Sequence, residues 1–392
     1  MACVEGGCGA REPALKILQI SSAQSLGGGE RHLVDLVKGL VDRGHDVHVA
    51  LRASSPLIGE LRVGEQNGLP KANITTLPLR NSLDALSARS LWKLVRQNQI
   101  QIVHAHMARD YPLAAYAVSR NKGARLIVTR HVLFPLSKLH RITLSRAARI
   151  IAVSQAVAAG VRGDGIASAE QISVVLNGID ARRFENASAR FSREQFLDGW
   201  GLPDDCLLIG IVGELTPLKG QEEFLRAAAE VRKQFPNSHF IIAGSDSSRG
   251  NKNRAFLERL IRELELTEQV RLIGWLEHLV QLYCALDVFV SASHTESFGL
   301  AITEAMASGT SVVATGTEGA REIIESEETG LLVPVGDVVA LAAAIVELLG
   351  DEDKRARLGT AAQHAVAAQF SVKRMVEETE EIYRAEIERR LV

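Results

Sequence analysis

The segment HTESFGLAITEAMASG places two carboxylates, Glu296 and Glu304, eight residues apart in an otherwise apolar run. Its pattern predicts a helix that begins near Ser297 or Phe298 and ends before Gly309. A helix N-terminus offers free backbone N–H groups and a positive dipole end, which together bind phosphate. One interpretation therefore puts a diphosphate on the helix start, with one carboxylate on each side to bind sugar hydroxyls. The other makes Glu304 a buried structural acid that needs a partner and Glu296 a charge that caps the helix.

A lysine and a glycine-rich turn are further candidates for anion binding. Lys219 lies in the loop GELTPLKG, residues 213–220, between a predicted strand and a predicted helix. A lysine there can reach anionic oxygens, although loop lysines are usually only solvated. The three glycines 27–29 let the backbone approach a ligand closely, or merely permit a tight turn. They do not match Gly-x-Gly-x-x-Gly, so they do not indicate a nicotinamide site.

Histidines end two of the predicted strands. His104 and His106 share one face of a strand, because alternate residues do. Two imidazoles at this spacing could bind a metal, but the sequence names no third ligand, so we predict no metal site. His131 ends the next strand and is either a cleft residue or a packed one. The only Asp-x-Asp sequence, at 351–353, is interpreted as charge in the first turn of a helix.

Predicted elements alternate between strand and helix along the whole chain. The first unit is a strand at 15–22, the glycine turn, a helix at 30–43 and a strand at 46–51. This alternation is typical of a parallel sheet covered on both faces. We predict further strands at 100–103, 126–129, 149–153 and 172–175, and then at 206–212, 239–243, 270–273, 287–291 and 311–314. In the second half we predict helices at 221–235, 253–264 and 278–285, and three helical segments before the C-terminus.

We therefore predict two Rossmann-like doubly wound α/β domains that face a cleft. The predicted limits are a disordered leader at 1–14, an N-terminal domain at 15–185, a C-terminal domain at 186–370 and a last helix at 371–392 that packs back toward the first domain. Basic residues are in excess in the first half and acidic residues in the second, which is typical of domains with different partners. Loops at the carboxyl ends of the strands would line the cleft.

Composition indicates a globular protein of the cytoplasm. The chain is 46% hydrophobic and 23% charged, and its four cysteines show no paired metal spacing. No apolar run is long enough for a membrane span, and we identify no signal peptide. Nucleic acid is an unlikely partner, because aromatic residues make up only 5% and no recognition motif is present.

Taken together, these motifs resemble those of the retaining glycosyltransferases of family 4, which have the GT-B fold. The resemblance runs from about Leu15 to the C-terminal helices, and its most specific part is Glu296-x7-Glu304. The other residues that carry it are the glycine turn, Ser154, 177–180, the loop with Lys219, 243–244, 274–275, Gly309, Gly319, Glu322 and 329–333.

The resemblance implies a donor site, a reaction centre and an acceptor side. The donor would be a UDP- or GDP-linked sugar, with no further cofactor and no metal. Its implied binding residues are Gly28, Gly29, Gly213, Lys219, Gly244, Glu296, Phe298, Gly299, Leu300 and Glu304. Of these, Glu304 would bind the ribose, Glu296 the transferred sugar, and Lys219 with backbone N–H groups near Phe298 the diphosphate. His131, Lys219 and Glu296 would be catalytic, and His106 would face the acceptor.

One residue departs from the family pattern. Glu214 stands where the family usually has an arginine beside the donor phosphates, so either its side chain points away or Arg321 or Arg249 compensates. The sequence also leaves open a nucleotide-sugar epimerase or phosphorylase of the same fold, and a non-catalytic nucleotide-sugar-binding protein. The implied acceptor is a glycan or a lipid-linked glycan in polysaccharide or cell-envelope synthesis. The apolar and basic segment 131–141 would then suit peripheral contact with an anionic membrane surface, or it is only a solvated basic face.

Overall fold

The computed structural model describes residues 12–62, 71–134, 136, 138–276 and 279–389. Most of the predicted leader, 1–14, and part of the segment 131–141 lie outside the described residues. The chain forms two parallel sheets, one in each half, and helices cover both faces of each.

The N-terminal sheet has seven parallel strands in the order β3-β2-β1-β4-β5-β6-β7. Its strands are β1 Lys16–Ser21, β2 Asp46–Leu51, β3 Asn73–Thr76, β4 Ile102–Ala105, β5 Arg125–Arg130, β6 Arg149–Ala152 and β7 Ile172–Val174. Its helices are α1 Gly28–Asp42, α2 Leu57–Arg62, α3 Ala85–Gln97, α4 Tyr111–Ser119, α5 Lys138–Leu144 and α6 Gln155–Gly163. Two further helices, α7 Ala181–Ser188 and α8 Arg193–Gly199, follow β7 and pack against the C-terminal domain. The central strands β1, β4 and β5 are almost wholly buried, as expected of a sheet covered on both faces.

The C-terminal sheet has six parallel strands in the order β10-β9-β8-β11-β12-β13. Its strands are β8 Leu207–Val212, β9 Ser238–Ala243, β10 Val270–Gly274, β11 Val288–Ser291, β12 Ser311–Thr315 and β13 Leu331–Val333. The helices that follow β8 are α9 Gln221–Gln234, α10 Lys252–Glu263, α11 Leu279–Ala285, α12 Leu300–Ala307, α13 Glu318–Ile323, α14 Val338–Gly350, α15 Glu352–Gln369 and α16 Val372–Glu388.

Four details differ from the sequence prediction. Four helices, α13 to α16, follow β12, where three helical segments were predicted. The strands β3 and β13 were not predicted, because each spans only three or four residues and β3, with the sequence NITT, is partly exposed. The helix α12 begins at Leu300 rather than near Ser297 or Phe298. Gly299 has φ 115° and ψ 53°, which lies outside helical geometry and therefore delays the start.

The last helix, α16, packs against α1 of the N-terminal domain. A Cβ atom on Gly39 would lie 2.5 Å from a methyl group of Val376, so the two helix backbones approach closely. Tyr383 is fully buried among the side chains of α1, β1 and β2. The carboxylate of Glu386, also buried, accepts a hydrogen bond of 2.7 Å from Arg149. The core of the N-terminal domain is thus completed by the end of the chain.

Direct contacts join the two domains. The Glu322 carboxylate accepts hydrogen bonds of 2.8 Å from the backbone N–H groups of Gln155 and Ala156, which begin α6. The backbone N–H of Ile179 donates to the Phe370 carbonyl at 2.7 Å, where the chain returns to the first domain. One hydrophobic cluster includes side chains of both sheets. Packed apolar side chains from both domains therefore lie at the bottom of the cleft.

Candidate active site

The glycine-rich turn brings the two domains together at the cleft. A Cβ atom on Gly28 would lie 2.5 Å from Cδ1 of Leu300, the first residue of α12. A Cβ atom on Gly29 would lie 3.3 Å from the ring of His131. A side chain at Gly28 would have to displace the Leu300 side chain, and one at Gly29 would press on the His131 ring. The structure therefore places these four residues side by side, although they are distant in sequence.

The start of α12 offers backbone rather than side chains to the cleft. Phe298 is 2% exposed, and its ring packs edge-on against Phe370 at a centroid distance of 5.8 Å. Gly299 has no side chain and is the residue that precedes the helix. The N–H groups of the first turn of α12 have no intrahelical acceptor, as at any helix N-terminus. Any role of Phe298 in binding would therefore fall to its main chain.

Lys219 and Glu296 form an ion pair next to this helix start. The Lys219 Nζ donates to Glu296 Oε1 at 2.5 Å, and the Ser293 hydroxyl donates to the same oxygen at 2.9 Å. Glu296 Oε2 accepts no hydrogen bond from the described residues. The lysine stem passes 3.5 Å from the position of a Cβ on Gly213, so a larger residue there would press on it. The pair thus presents one ammonium group and one free carboxylate oxygen.

The other second-domain candidates flank this pair. A Cβ atom on Gly244 would lie 1.8 Å from the Gly213 carbonyl oxygen, so the two strand ends touch through their backbones. The side chain of Glu214 is exposed, and it forms no ion pair with any described residue. Of the two cations suggested as compensation, Arg321 donates to the Gly316 carbonyl at 2.9 Å and Arg249 is exposed. Neither pairs with Glu214.

Glu304 is buried and has two partners. The Tyr283 hydroxyl donates to Oε2 at 2.8 Å, and Arg31 of α1 lies 3.4 Å from Oε1. Burial and the neighbouring carboxylate raise the pKa of Tyr283 well above its usual value. Arg31 belongs to the N-terminal domain, so the Arg31–Glu304 ion pair spans the cleft. Sequence reasoning stated that a buried acid needs a partner but identified neither Arg31 nor Tyr283, because both lie far from it along the chain.

A chain of hydrogen bonds runs beneath the N-terminal side of the cleft. His131 Nε2 lies 3.4 Å from His106 Nδ1, and His106 Nε2 lies 2.7 Å from Gln19 Oε1. The Gln19 amide donates to the Tyr383 hydroxyl at 3.1 Å, and that hydroxyl lies 2.6 Å from His104 Nδ1. His104 Nε2 completes the chain at Thr129, 2.7 Å away. Tyr383 of α16 thus holds the histidines of two strand ends in place.

These histidines are uncharged at neutral pH. Burial lowers the pKa of His104, His106 and His131 well below its usual value, and neighbouring imidazoles lower it further. Burial lowers the pKa of His32 on α1 to about 4, and the Asn177 side chain opposes only part of that shift. A neutral imidazole can donate one hydrogen bond and accept another, so each ring can take part in a polar network without carrying charge.

The structure places a third histidine, His32, beside His106 and His131. The sequence alone had offered no such third ligand. His32, His106 and His131 each offer one ring nitrogen, and these nitrogens lie within 4.8 Å of one another. His32 is on the buried side of α1, which packs over the ends of β4 and β5. His32 was not singled out from the sequence, because nothing along the chain indicates that it lies beside the other two.

Comparisons with known proteins agree with this architecture. The family model "Glycosyltransferase Family 4" matches residues 26–183, and "Glycosyl transferases group 1" matches residues 192–365. The D-inositol 3-phosphate glycosyltransferase of Corynebacterium diphtheriae is 30% identical over 396 residues, which cover 93% of this chain and 91% of that protein. The chain belongs to glycosyltransferase family 4. The prediction made from its motifs is confirmed.

Shorter alignments and solved structures extend the comparison. The D-inositol 3-phosphate glycosyltransferase of Corynebacterium urealyticum is 36% identical over 220 residues, covering 55% of this chain and 51% of that protein. The chain thus spans about half the length of this relative. The crystal structure of Alr3699/HepE from Anabaena in complex with UDP-glucose is 26% identical, with a TM-score of 0.81 and coverage of 95% and 100%. The predicted GT-B fold of two Rossmann-like domains is confirmed.

Among the described residues, no helix combines the length and the apolar character needed to cross a bilayer.

Proposed function

We propose that this family 4 glycosyltransferase moves a hexose or related sugar from a nucleotide-diphosphate donor to a glycan or lipid-linked acceptor, with retention of anomeric configuration. The observation that supports this best is the convergence of Lys219, Glu296, the start of α12 and the glycine turn in one cleft. UDP is the first nucleotide to test, because Alr3699/HepE was solved with UDP-glucose. GDP is the alternative.

The second domain carries the groups that a diphosphate donor needs. Negative charge develops on the diphosphate as the bond to the sugar breaks, and the Lys219 ammonium with the N–H groups of α12 would stabilise it. These groups supply the positive charge within the protein, so the proposed reaction requires no metal ion. The free Oε2 of Glu296 would accept a hydrogen bond from a hydroxyl of the transferred sugar. Because Gly213 and Gly244 have no side chains, the donor would have room to lie across the two strand ends.

Glu304 would bind the ribose hydroxyls. A carboxylate can accept from two adjacent hydroxyls, and Tyr283 fixes its orientation from the buried side. Arg31 contacts the other oxygen from across the cleft. Ribose binding therefore requires Arg31 to share this carboxylate or to move away from it.

The first domain would hold the acceptor. His131 touches the glycine turn beside the helix start, which places it next to the proposed position of the transferred sugar. His106 lies behind it and faces the acceptor side through His131. Val132 and Phe134, in the loop after β5, are 40% and 58% exposed. These side chains support peripheral contact with a membrane that carries the acceptor; sedimentation that shows no preference for anionic vesicles would contradict this part.

The donor site is tested by calorimetric titration with UDP and GDP. We expect Glu304→Gln to weaken binding of the preferred nucleotide by about 10- to 100-fold, since hydrogen bonds to charged groups contribute roughly 1.5–3 kcal/mol. Glu325→Gln, a change on the surface of the same domain, is the control and should leave the affinity unaltered. Equal affinities of the Glu304→Gln and wild-type proteins would contradict the ribose assignment.

Product analysis then separates transfer from the alternatives. The wild-type protein is incubated with a UDP-sugar and a panel of acceptors that includes lipid-linked glycans and D-inositol 3-phosphate, the acceptor in the names of the relatives. A retained anomeric linkage in the product is the expected result. A product formed without acceptor would favour an epimerase, and donor binding without turnover would favour a binding protein.

A further inference from the structure

Three imidazoles converge beneath the glycine-rich turn. His32 of α1, His106 after β4 and His131 after β5 present nitrogens that all lie within 4.8 Å of one another. Their ring centroids are 4.9 to 5.9 Å apart. Neutral imidazole is the commonest protein ligand for zinc and related ions. The three residues come from separate elements, so the fold itself assembles the cluster.

His32 is the member that most needs an explanation. Its side chain is 3% exposed, and neither ring nitrogen makes a hydrogen bond of normal geometry with a described residue, although the Asn177 side chain is close enough to oppose part of its pKa shift. An unpaired buried polar atom costs about 1–3 kcal/mol. Native structures contain few such atoms, and each calls for a functional or structural reason. A ligand shared with His106 and His131 would satisfy a His32 nitrogen.

His106 is already oriented as a metal ligand would be. Its Nε2–H donates to Gln19 Oε1 at 2.7 Å, which leaves the lone pair of Nδ1 directed toward His131. Histidines that bind metals nearly always donate their other ring N–H to such an acceptor. Gln19 in turn is held by Tyr383. The supporting hydrogen bonds of a metal site are therefore present.

The spacing of the nitrogens is close to that of a tetrahedral site. With Zn–N bonds of about 2.0–2.1 Å, neighbouring ligand nitrogens lie roughly 3.3 Å apart. His106 Nδ1 and His131 Nε2 are 3.4 Å apart. The other separations are 4.8 Å or less, so the ring of His32 must move closer to the other two to complete such a site.

We propose that His32, His106 and His131 bind one transition-metal ion of the Zn²⁺ class, with a fourth position open to water. The low pKa values of these residues agree with this, because metals bind the neutral ring without first displacing a proton. The ion is distinct from the proposed transfer chemistry, whose positive charge comes from Lys219. Binding would instead withdraw His131 from the acceptor, so the metal would oppose transfer. Only this last consequence rests on the proposed function.

The test is calorimetric titration of the metal-free full-length protein with Zn²⁺, followed by Co²⁺ as a spectroscopic probe. We expect one ion per chain and the visible absorption of four-coordinate Co²⁺. His32→Leu should weaken binding by at least ~100-fold, and Gln19→Leu by about 10-fold, the usual effect of losing a supporting hydrogen bond. His48→Gln is the matched control, because His48 is a buried histidine of the same domain with Asp46 beside it. It should bind as the wild type does.

Two results would overturn the proposal. One is an absence of Zn²⁺ binding by the wild-type protein. The other is equal affinity of the wild type and His32→Leu. If thermal melting in chelator shows that His32→Leu is unfolded, Gln19→Leu provides the same comparison. Zn²⁺ should also inhibit sugar transfer; metal binding without any transfer activity would refute the proposed function and leave the metal site standing.

Discussion

The two sides of the cleft differ in the charge of their polar side chains. The acids of the C-terminal side are matched by charge: Lys219 pairs with Glu296, and Arg31 reaches Glu304 from the N-terminal domain across the cleft. The N-terminal side removes charge, since its histidines are buried and their pKa values lie below the usual range. A matched ion pair can exchange a partner for a charged ligand, whereas neutral imidazoles suit an uncharged hydroxyl or a metal. We therefore expect the charged substrate of the proposed reaction to bind on the C-terminal side.

The largest effect should come from removing the cation of the C-terminal side. Lys219→Ala takes away the group that we place on the departing diphosphate, and it leaves Glu296 without its partner. We expect kcat to fall by about 10²- to 10³-fold, the usual cost of losing one group that stabilises a developing anion. Lys233→Ala removes an exposed lysine paired with Glu230 at 2.7 Å and should keep full activity. Steady-state kinetics of sugar transfer measure kcat for both variants. A Lys219→Ala protein with wild-type kcat would contradict the placement of the diphosphate on the C-terminal side.

The next effect concerns the uncharged side. The unfolded chain binds a proton at His32 near pH 6.5, whereas the folded chain does so only near pH 4. The free energy of unfolding is therefore unaffected by His32 above pH 6.5 and falls as the pH drops toward 4. The loss from this residue is on the order of 3 kcal/mol. In chelator, His32→Leu should thus lose less stability than the wild type between pH 7 and pH 4.

Chemical denaturation at several pH values measures this difference. His364→Gln, a change at an exposed residue of α15, is the control and should follow the wild-type profile. Parallel profiles for wild type and His32→Leu would mean that His32 is not buried as an uncharged ring, and the contrast between the two sides would fail there.

The smallest effect is expected at Glu214, which stands where the family usually has an arginine beside the donor phosphates. Glu214→Arg replaces an exposed carboxylate near the proposed diphosphate position with a cation. Exposed charges interact by about 0.2–1 kcal/mol, so binding of the preferred nucleotide should tighten by roughly two- to fivefold. Glu230→Arg, on the surface of α9, should not change the affinity. Unchanged or weaker binding by Glu214→Arg would show that residue 214 does not face the diphosphate.

Local patterns predicted most of the architecture. The buried run of β1, the three glycines and the amphipathic period of α1 specify a strand, a turn and a helix within one short stretch. The same periodicity located α9, α10 and α11 to within one or two residues. The short strands β3 and β13 were missed, because three or four residues cannot establish a period of two.

Contacts between distant residues account for what the sequence did not reveal. The positive φ of Gly299 moves the start of α12 to Leu300, and the neighbouring residue types do not indicate this conformation. The partnership of Glu304 with Arg31 depends on how two domains face each other, and the cluster around His32 depends on how α1 lies across two strand ends. The family motif identified Glu296, Glu304 and Lys219, and the structure shows where they lie; their roles stay predictions until the experiments above are done.

The position of α16 also bears on how the chain folds during synthesis. Tyr383 supplies the hydroxyl between Gln19 and His104, and Glu386 supplies the carboxylate that pairs with Arg149. Until these residues leave the ribosome, the first domain lacks part of its core and its buried histidines lack their anchor. Domains usually fold in the order of synthesis. Here the domain that is made first lacks its full core until α16 has been made.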